Sequence, residues 1–494
     1  MKPGRISPGR MTSLAPALLG LALVLTAATR PTTAAERPHV VLILADDFGR
    51  ELLPSYGGQS YELPHLSRLA RESVQFDVCY ATPLCAPSRV ELMTGLYSFR
   101  GYDTWGELDP RLPTLAQAMQ SQGYRTVAAG KWHMGGWDAS PPGIVAAGFE
   151  RYCSFNYVDE IPESKAGGGN RYWGGSILHG TAGDATPTRG RLAEYGPDRF
   201  AREITDAIAA TADDPRPLFA YYGLNLLHRP FHPTPHHPEA PAPGQSPPAA
   251  WLTDKGSPEH FPAMVAYVDE IVGRIDAALA EAGIRDETLF IVTSDNGTDN
   301  VHEAATVRSR WQPSMRGEVA EPVEVAGGKY FPTELGLNVP LLVRYPGVFP
   351  PRRTRALVDF TDLTATICLA AEADPPPHCD GRDLASLLMG QTDTHKSYVW
   401  SFGNFEQSSR RYKDPRQYGE YLFDVVRGER HKWIGPGSVG NLREPPRRRR
   451  GQLFDLVADP LEAAGRHRDA ADGPTWNRLK RHTTTLRESS PARW

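Results

Sequence analysis

The chain has few cysteines: five among 494 residues, Cys79, Cys85, Cys153, Cys368 and Cys379. No Cys/His spacing among them suggests a zinc site. Excess charge of one sign is also missing, since 54 Lys and Arg face 58 Asp and Glu for a net charge of −4. A chain without a basic surface is a poor candidate for a nucleic-acid-binding protein. No apolar run reaches the length of a spanning helix. Leu14 to Ala28 covers about 15 residues where roughly 20 are needed, so stable membrane insertion is not expected. Internal repeats are absent as well. What the chain does have is an ordinary globular balance, 40% hydrophobic and 23% charged, which excludes a fibrous or wholly disordered protein. Its 45 prolines and 46 glycines predict many rigid loops around a core.

The short apolar run has a meaning of its own. Lys2, Arg5 and Arg10 precede it and the small residues Thr33-Ala34-Ala35 follow, the three parts of a secretory signal. Residues 1–35 are therefore expected to be a signal peptide, and the mature protein to be exported, periplasmic or secreted. In an oxidising compartment an odd number of cysteines leaves one thiol over. Cys368 and Cys379 are close enough in sequence to pair.

Further along, apolar runs alternate with amphipathic stretches. His39 to Ala45 is a continuous apolar, β-branched run, the mark of a strand buried on both faces. Tyr124 to Ala129, Leu218 to Leu224, Thr288 to Thr293 and Val339 to Arg344 read as further strands. Leu112 to Gln122, Ile204 to Ala212 and Pro262 to Ala282 read as helices. Residues 140–190 and 229–260, rich in Pro, Gly and His, are expected to be long surface loops. Past residue 390 the pattern changes to short strands at Val399–Ser401, Leu422–Val426 and His431–Ile434. The expected fold is α/β: a large, mostly parallel mixed sheet sandwiched by helices over residues 36–392. A smaller α+β subdomain carrying an antiparallel sheet is expected over 393–494. Arg447 to Arg450 reads as a solvated loop.

Polar clusters recur just after the strands, the edge of an open α/β sheet where ligands bind. Asp46-Asp47 and Asp295-Asn296 are oxygen-rich pairs suited to a hard divalent cation. Cys85, before an apparent helix in Cys85-Ala86-Pro87-Ser88-Arg89, is either a core residue or a nucleophile of depressed pKa. Gly130-Lys131-Trp132-His133-Met134-Gly135 brings a cation and an imidazole to one strand end. His228 is a candidate general acid, and Lys329 a flexible cation. His302, Trp173, His232 and Trp311 lie in loops within reach of a substrate, with no specific chemistry attached to them.

Taken in order, these stretches resemble the type I, formylglycine-dependent sulfatases. Cys85-x-Pro87-Ser88-Arg89 with Leu92-Met93-Thr94-Gly95 is similar to that family's first signature, and Gly130 to Gly135 to its second. Leu453-Phe454-Asp455-Leu456 with Asp459-Pro460-Leu461-Glu462 resembles the closing motif, so the likeness runs from about residue 38 to about 465. It implies that Cys85 is converted to formylglycine by a maturation enzyme, which removes the leftover thiol. It also implies that Asp46, Asp47, Asp295, Asn296 and modified Cys85 ligate one divalent ion, usually Ca²⁺, with Mg²⁺ as the second choice. Arg89 would hold the aldehyde hydrate, Lys131 and Lys329 would bind sulfate, and His133 and His228 would move protons. The substrate class implied is a sulfated carbohydrate. The chain departs from the family after the lysine, where Glu334-Leu335-Gly336-Leu337-Asn338-Val339-Pro340 lacks the usual arginine and one glycine. Two other readings stay open: a phosphomonoester or phosphonate monoester hydrolase with the same site, and a non-catalytic sulfoglycan-binding protein.

Overall fold

Residues 37–102, 104–155, 171–184, 186–242, 245–252, 256–299, 307–309, 323–405, 421–435, 451–459, 462 and 473–489 are described by a computed structural model. The signal segment, His302, Trp311 and Arg447 to Arg450 lie outside them.

The apolar runs become strands because a segment hydrophobic on both sides is stable only where helices cover both faces. The main sheet comprises β1 (His39–Ala45), β2 (Val74–Phe76), β3 (Arg125–Gly130), β4 (Arg151–Phe155), β5 (Ser176–Thr181), β6 (Thr188–Arg191), β7 (Leu218–Leu224), β8 (Thr288–Ser294), β9 (Leu341–Arg344) and β10 (Arg352–Thr354). Their order across the sheet is β10-β2-β9-β8-β1-β7-β3-β4-β5-β6. The centre, β8-β1-β7-β3-β4, is parallel throughout, while β9 and β5 run antiparallel to their neighbours.

On β1 the alternation of side chains divides the core in two. Val40, Leu42 and Leu44 pack with helices α2 (Cys85–Thr94) and α3 (Leu115–Ser121) and with the later helix Phe360–Ala370. Val41, Ile43 and Ala45 face α1 (Pro64–Arg71), α4 (Gly196–Ala209) and α5 (Phe261–Glu281). Phe360–Ala370 is α6 in chain order. A second sheet of β11 (Val399–Phe405), β12 (Tyr421–Arg427), β13 (His431–Ile434) and β14 (Gln452–Asp455) is antiparallel throughout. It packs Val426, Trp433 and Leu453 against Trp476 and Leu479 of α7 (Gly473–Ser489).

Several boundaries move, for local reasons. The helix expected from Leu112 starts at Leu115, because Thr114 closes a capping box with Gln117. The helix expected from Ile204 starts at Gly196, with Pro197 in its first turn, and gives way to a 3₁₀ turn after Ala209. The larger correction is in 140–190, expected as loop: β4, β5 and β6 lie within it as one side of the main sheet. β6, Thr-Arg-Gly-Arg, is largely exposed, and such an edge strand has no apolar period to betray it.

Candidate active site

Four parallel strands deliver the polar clusters to one rim: Asp46-Asp47 follow β1, Lys131 and His133 follow β3, His228 follows β7, and Asp295-Asn296 end β8. The cysteine motif reaches the same place from the start of α2. Its spacing has a geometric basis, since Cys85 and Arg89 are four residues apart and share a helix face. Ser88 Oγ accepts from Thr82 N at 3.0 Å and pins the preceding loop. Trp132, between Lys131 and His133, goes into the core beside Phe149 and leaves its two neighbours to the site.

One acidic cluster organises the rim. A carboxylate oxygen each from Asp46 and Asp47 and the Cys85 Sγ lie within 4.8 Å of one another, all buried. Asp295 Oδ1 accepts from the Asp47 amide at 3.2 Å, and Asn296 Nδ2 donates to Asp47 Oδ1 at 2.8 Å. Lys131 Nζ stands 2.7 Å from both Asp46 oxygens, and Lys329 Nζ 2.7 Å from Asp47 Oδ2. Arg89 clasps Asp295 Oδ2 through Nε at 3.0 Å and Nη2 at 2.6 Å. Its Nη1 donates to the Lys131 carbonyl and to Tyr221 Oη, both at 3.0 Å.

Burial would raise Asp46, but Lys131, Arg89, Lys329 and Arg171 hold it down at about 2. Asp47 goes the other way. Burial lifts it, Lys329 offsets part of that, and the charges of Asp46, Asp299 and Asp295 lift it further. Asp295 is raised chiefly by burial, against the pull of Arg89. Carboxylates crowded in low dielectric are a poor arrangement by themselves and a good one around a cation. The donor set fits that use. Asn296 Oδ1 is buried with no hydrogen-bond partner among the described residues, while its amide nitrogen is engaged.

Burial raises the Cys85 thiol despite Lys131 and Lys329. That direction is opposite to the depressed pKa of an activated thiolate. Burial also drives His133 and His228 far below the usual imidazole range. Lys131 and Arg89 reinforce the shift at His133, and Arg171, Lys329 and Lys131 at His228. His228 Nδ1 is 2.7 Å from the Arg229 carbonyl. A carbonyl only accepts, so in the neutral ring the hydrogen sits on Nδ1 and Nε2 is bare. His133 adopts φ 54°, left-handed for a side-chain-bearing residue, and its ring meets the edge of Trp105 at 5.8 Å.

Lys329 arrives by close backbone approach. A Cβ on Gly327 would collide with the Thr298 carbonyl, and one on Gly328 with Leu335. Lys329 N donates to Thr298 O at 3.0 Å, and Tyr330 N to Pro83 O at 2.9 Å, two residues before Cys85. Asn338, where the resemblance leads one to expect arginine, accepts from Cys79 N at 3.0 Å and donates to Glu334 Oε2 at 3.1 Å. Cations reach Glu334 from the second sheet instead: Arg427 at 3.3 Å and Lys432 at 3.4 Å. Lys432 also pairs at 2.8 Å with Glu462 of the closing motif, whose other oxygen takes the Glu334 amide hydrogen.

Trp173 and His232, considered as substrate contacts, are buried among Tyr172, Tyr195 and Trp251. Cys368 and Cys379 are both free thiols. Sequence reasoning missed three site features: Arg171, whose Nη1 lies 3.7 Å from Asp46 Oδ2; Tyr221 under Arg89; and the Arg229–Asp299–Tyr330 group beside Lys329. None carries a sequence signal of its own, because the partners that give each its place are remote in the chain.

This geometry has counterparts. The family model described as Sulfatase matches residues 38–373. N-acetylgalactosamine-6-O-sulfatase of Bacteroides thetaiotaomicron is 26% identical over 86% of this chain and 89% of its own. Arylsulfatase A of Bos taurus is 30% identical over 87% and 83%. Among solved structures, Ps i-CgsB in complex with k-i-k-neocarrahexaose superposes with a TM-score of 0.66 at 21% identity, covering 91% of this chain and 93% of that one. At that identity the structural likeness speaks for the fold alone. The family match spans most of the chain, and with it the sulfatase relatives make this protein a sulfuric ester hydrolase that belongs to the sulfatase family, type I, of the alkaline phosphatase superfamily.

Proposed function

We propose that the chain is an exported sulfatase that removes sulfate from a carbohydrate, using a formylglycine made from Cys85 and one divalent ion, Ca²⁺ before Mg²⁺. Residues 1–35 would be its signal peptide, 36–392 its catalytic domain and 393–494 its C-terminal subdomain. A formylglycine-generating enzyme is the partner this requires. Among the described residues no helix is long and apolar enough to cross a membrane.

The observation that carries the reading is the convergence of Asp46, Asp47, Cys85, Asp295 and Asn296, whose Oδ1 has no partner among the described residues, beside Lys131 and Lys329. Those five residues would hold the ion. When bound, it supplies positive charge against the oxygens at sulfur and lowers the pKa of a hydroxyl at residue 85. A formylglycine hydrate supplies two hydroxyls on one carbon, one a nucleophile for sulfur and the other the means of expelling sulfate without water attacking sulfur.

The remaining work falls to side chains seen here. Arg89 fixes Asp295 and the Lys131 backbone, so metal site and sulfate site keep a common register. Lys131 and Lys329 each have ammonium hydrogens beyond those given to carboxylates, and these neutralise sulfate oxygens as charge builds. His228 delivers a proton from Nε2 to the departing oxygen. Binding an anionic ester offsets Arg171, Lys329 and Lys131, the cations that otherwise keep its ring neutral. His133, held neutral, is suited to take a proton at residue 85. The carbohydrate assignment draws on the relatives, one named for an N-acetylgalactosamine sulfate.

Two measurements test this. Mass spectrometry of the peptide containing residue 85, from a host with the maturation enzyme, is expected to show the aldehyde. A panel of defined sulfated mono- and oligosaccharides, beside nitrophenyl sulfate, phosphate and phosphonate, is expected to show desulfation that Cys85→Ala abolishes. Turnover of phosphonate or phosphate esters alone would replace this reading with the hydrolase alternative. An unmodified thiol with ligand binding but no turnover would replace it with the binding-protein alternative.

A further inference from the structure

Arg171 stands outside the family signatures, yet its side chain is 0% exposed and its Nη1 lies 3.7 Å from Asp46 Oδ2. Its position is built, not incidental. The Asn225 side chain donates to the Arg171 carbonyl at 3.0 Å. The next residue, Tyr172, sends its hydroxyl to the carbonyls of Asn225, at 2.8 Å, and His228. Gly196 N donates to Tyr172 O at 2.7 Å, and a Cβ on Gly196 would strike the Arg171 carbonyl. These contacts lash the Arg171–Tyr172 segment to the turn that carries His228.

Neutralising Asp46 does not account for a cation here. Lys131 already meets both Asp46 oxygens at 2.7 Å, and Arg89 stands 4.0 Å from Oδ1. Among the described residues, Lys131, Lys329, Arg89 and Arg171 stand around the carboxylates of Asp46, Asp47 and Asp295. A guanidinium held at this rim offers a fixed planar cation to an anion bound there. The charges of Arg171, Lys329 and Lys131 all act on His228. The other face of the guanidinium lies 5.2 Å over the Phe155 ring, which fixes its plane.

We propose that Arg171 is a further substrate-binding residue, its guanidinium taking oxygens of the sulfate group alongside Lys131 and Lys329. The inference rests on the sulfatase reading above and adds a residue to it. A planar fork suits two oxygens of one tetrahedral anion, which a lysine at the same place would engage less well.

The test compares matured, metal-loaded parent, Arg171→Gln and Arg171→Lys. For Arg171→Gln, kcat/KM for nitrophenyl sulfate is expected to fall about 10²- to 10³-fold, the loss typical of one oxyanion donor. Competitive inhibition by inorganic sulfate is expected to weaken at least tenfold. Metal content and melting temperature stay at parent values, and Arg171→Lys recovers part of the loss. Parent-like kcat/KM and sulfate inhibition in Arg171→Gln would overturn the inference. So would loss of bound metal, which would make Arg171 a support for Asp46. A parent that turns over no sulfate ester refutes the functional reading instead, and calorimetric sulfate binding to parent and Arg171→Gln then still decides the role of Arg171.

Discussion

Glu51 offers a prediction whose size follows from its surroundings. The side chain is 1% exposed, directly behind the acidic rim. Its Oε1 takes the Thr298 hydroxyl hydrogen at 2.5 Å, and Thr298 Oγ1 in turn accepts from Gly49 N at 3.0 Å. Oε2 has no partner among the described residues. Burial pushes the carboxyl up from 4.5 to about 7, against the Thr298 hydrogen bond. The folded state therefore holds this proton more tightly than the unfolded chain. The stability it contributes is fully present below pH 4.5 and is lost as pH rises through 7. A shift of that size corresponds to roughly 3 kcal/mol. Glu51→Gln imitates the protonated form, with an oxygen still accepting from Thr298, so the variant should not lose this increment. Unfolding entropy of about 2.1 cal/mol/K per residue, over the unit Arg37–Trp494, makes 3 kcal/mol worth about 3 °C. Calorimetric scans at one scan rate, with chelator present so that no bound cation offsets the charge, measure the gap. The two proteins should melt together near pH 4.5, and the variant about 3 °C higher at pH 8. A gap independent of pH, or one that closes as pH rises, would refute the reasoning.

Three further perturbations probe the rim and its support. Asp295→Ala removes a proposed ligand and frees Arg89, so metal measured by elemental analysis should fall well below one equivalent; normal content would count against the ligand role. His228→Asn should cost about 10²- to 10⁴-fold in kcat/KM on sugar sulfates and much less on nitrophenyl sulfate, whose leaving group needs no proton. For the same reason kcat/KM on sugar sulfates should decline with rising pH, with a midpoint below 6.5, because burial and Arg171, Lys329 and Lys131 depress the imidazole. Equal losses on both substrates would remove His228 from the acid role. Glu462→Gln breaks a buried pair with Lys432, which costs about 3–5 kcal/mol, so the melting temperature should drop several degrees; a drop under one degree would mean the network is not what holds the second sheet.

How far the sequence could be read depended on the range of the interactions involved. β1 and β7 were legible to the residue, because burial on both faces demands a continuous apolar run. The edge strand β6 and its neighbour β5 were not, since the partners that pair them supply no pattern within them. Helix starts were misplaced where a cap decides them, as at Thr114. The site divides in the same way. Cys85 and Arg89 share a helix face, and Lys131 and His133 flank a core tryptophan. These spacings are local geometry written as sequence.

Lys329 and Arg171 show what local spacing cannot carry. Lys329 reaches Asp47 because Gly327 and Gly328 let the chain press against Thr298 and Leu335, contacts that no short motif spells out. Arg171 depends on Asn225 and Tyr172, neither of which resembles a binding motif. The closing motif makes the opposite case. Glu462 touches no reacting group, yet it binds the Glu334 amide and Lys432, and Glu334 follows Lys329 by five residues in the chain. With Asn338 in the arginine position, the cations beside Glu334 come from the second sheet, through Arg427 and Lys432. A motif far from the rim thus has a physical role in this chain: it ties down Glu334, five residues beyond the lysine that reaches Asp47.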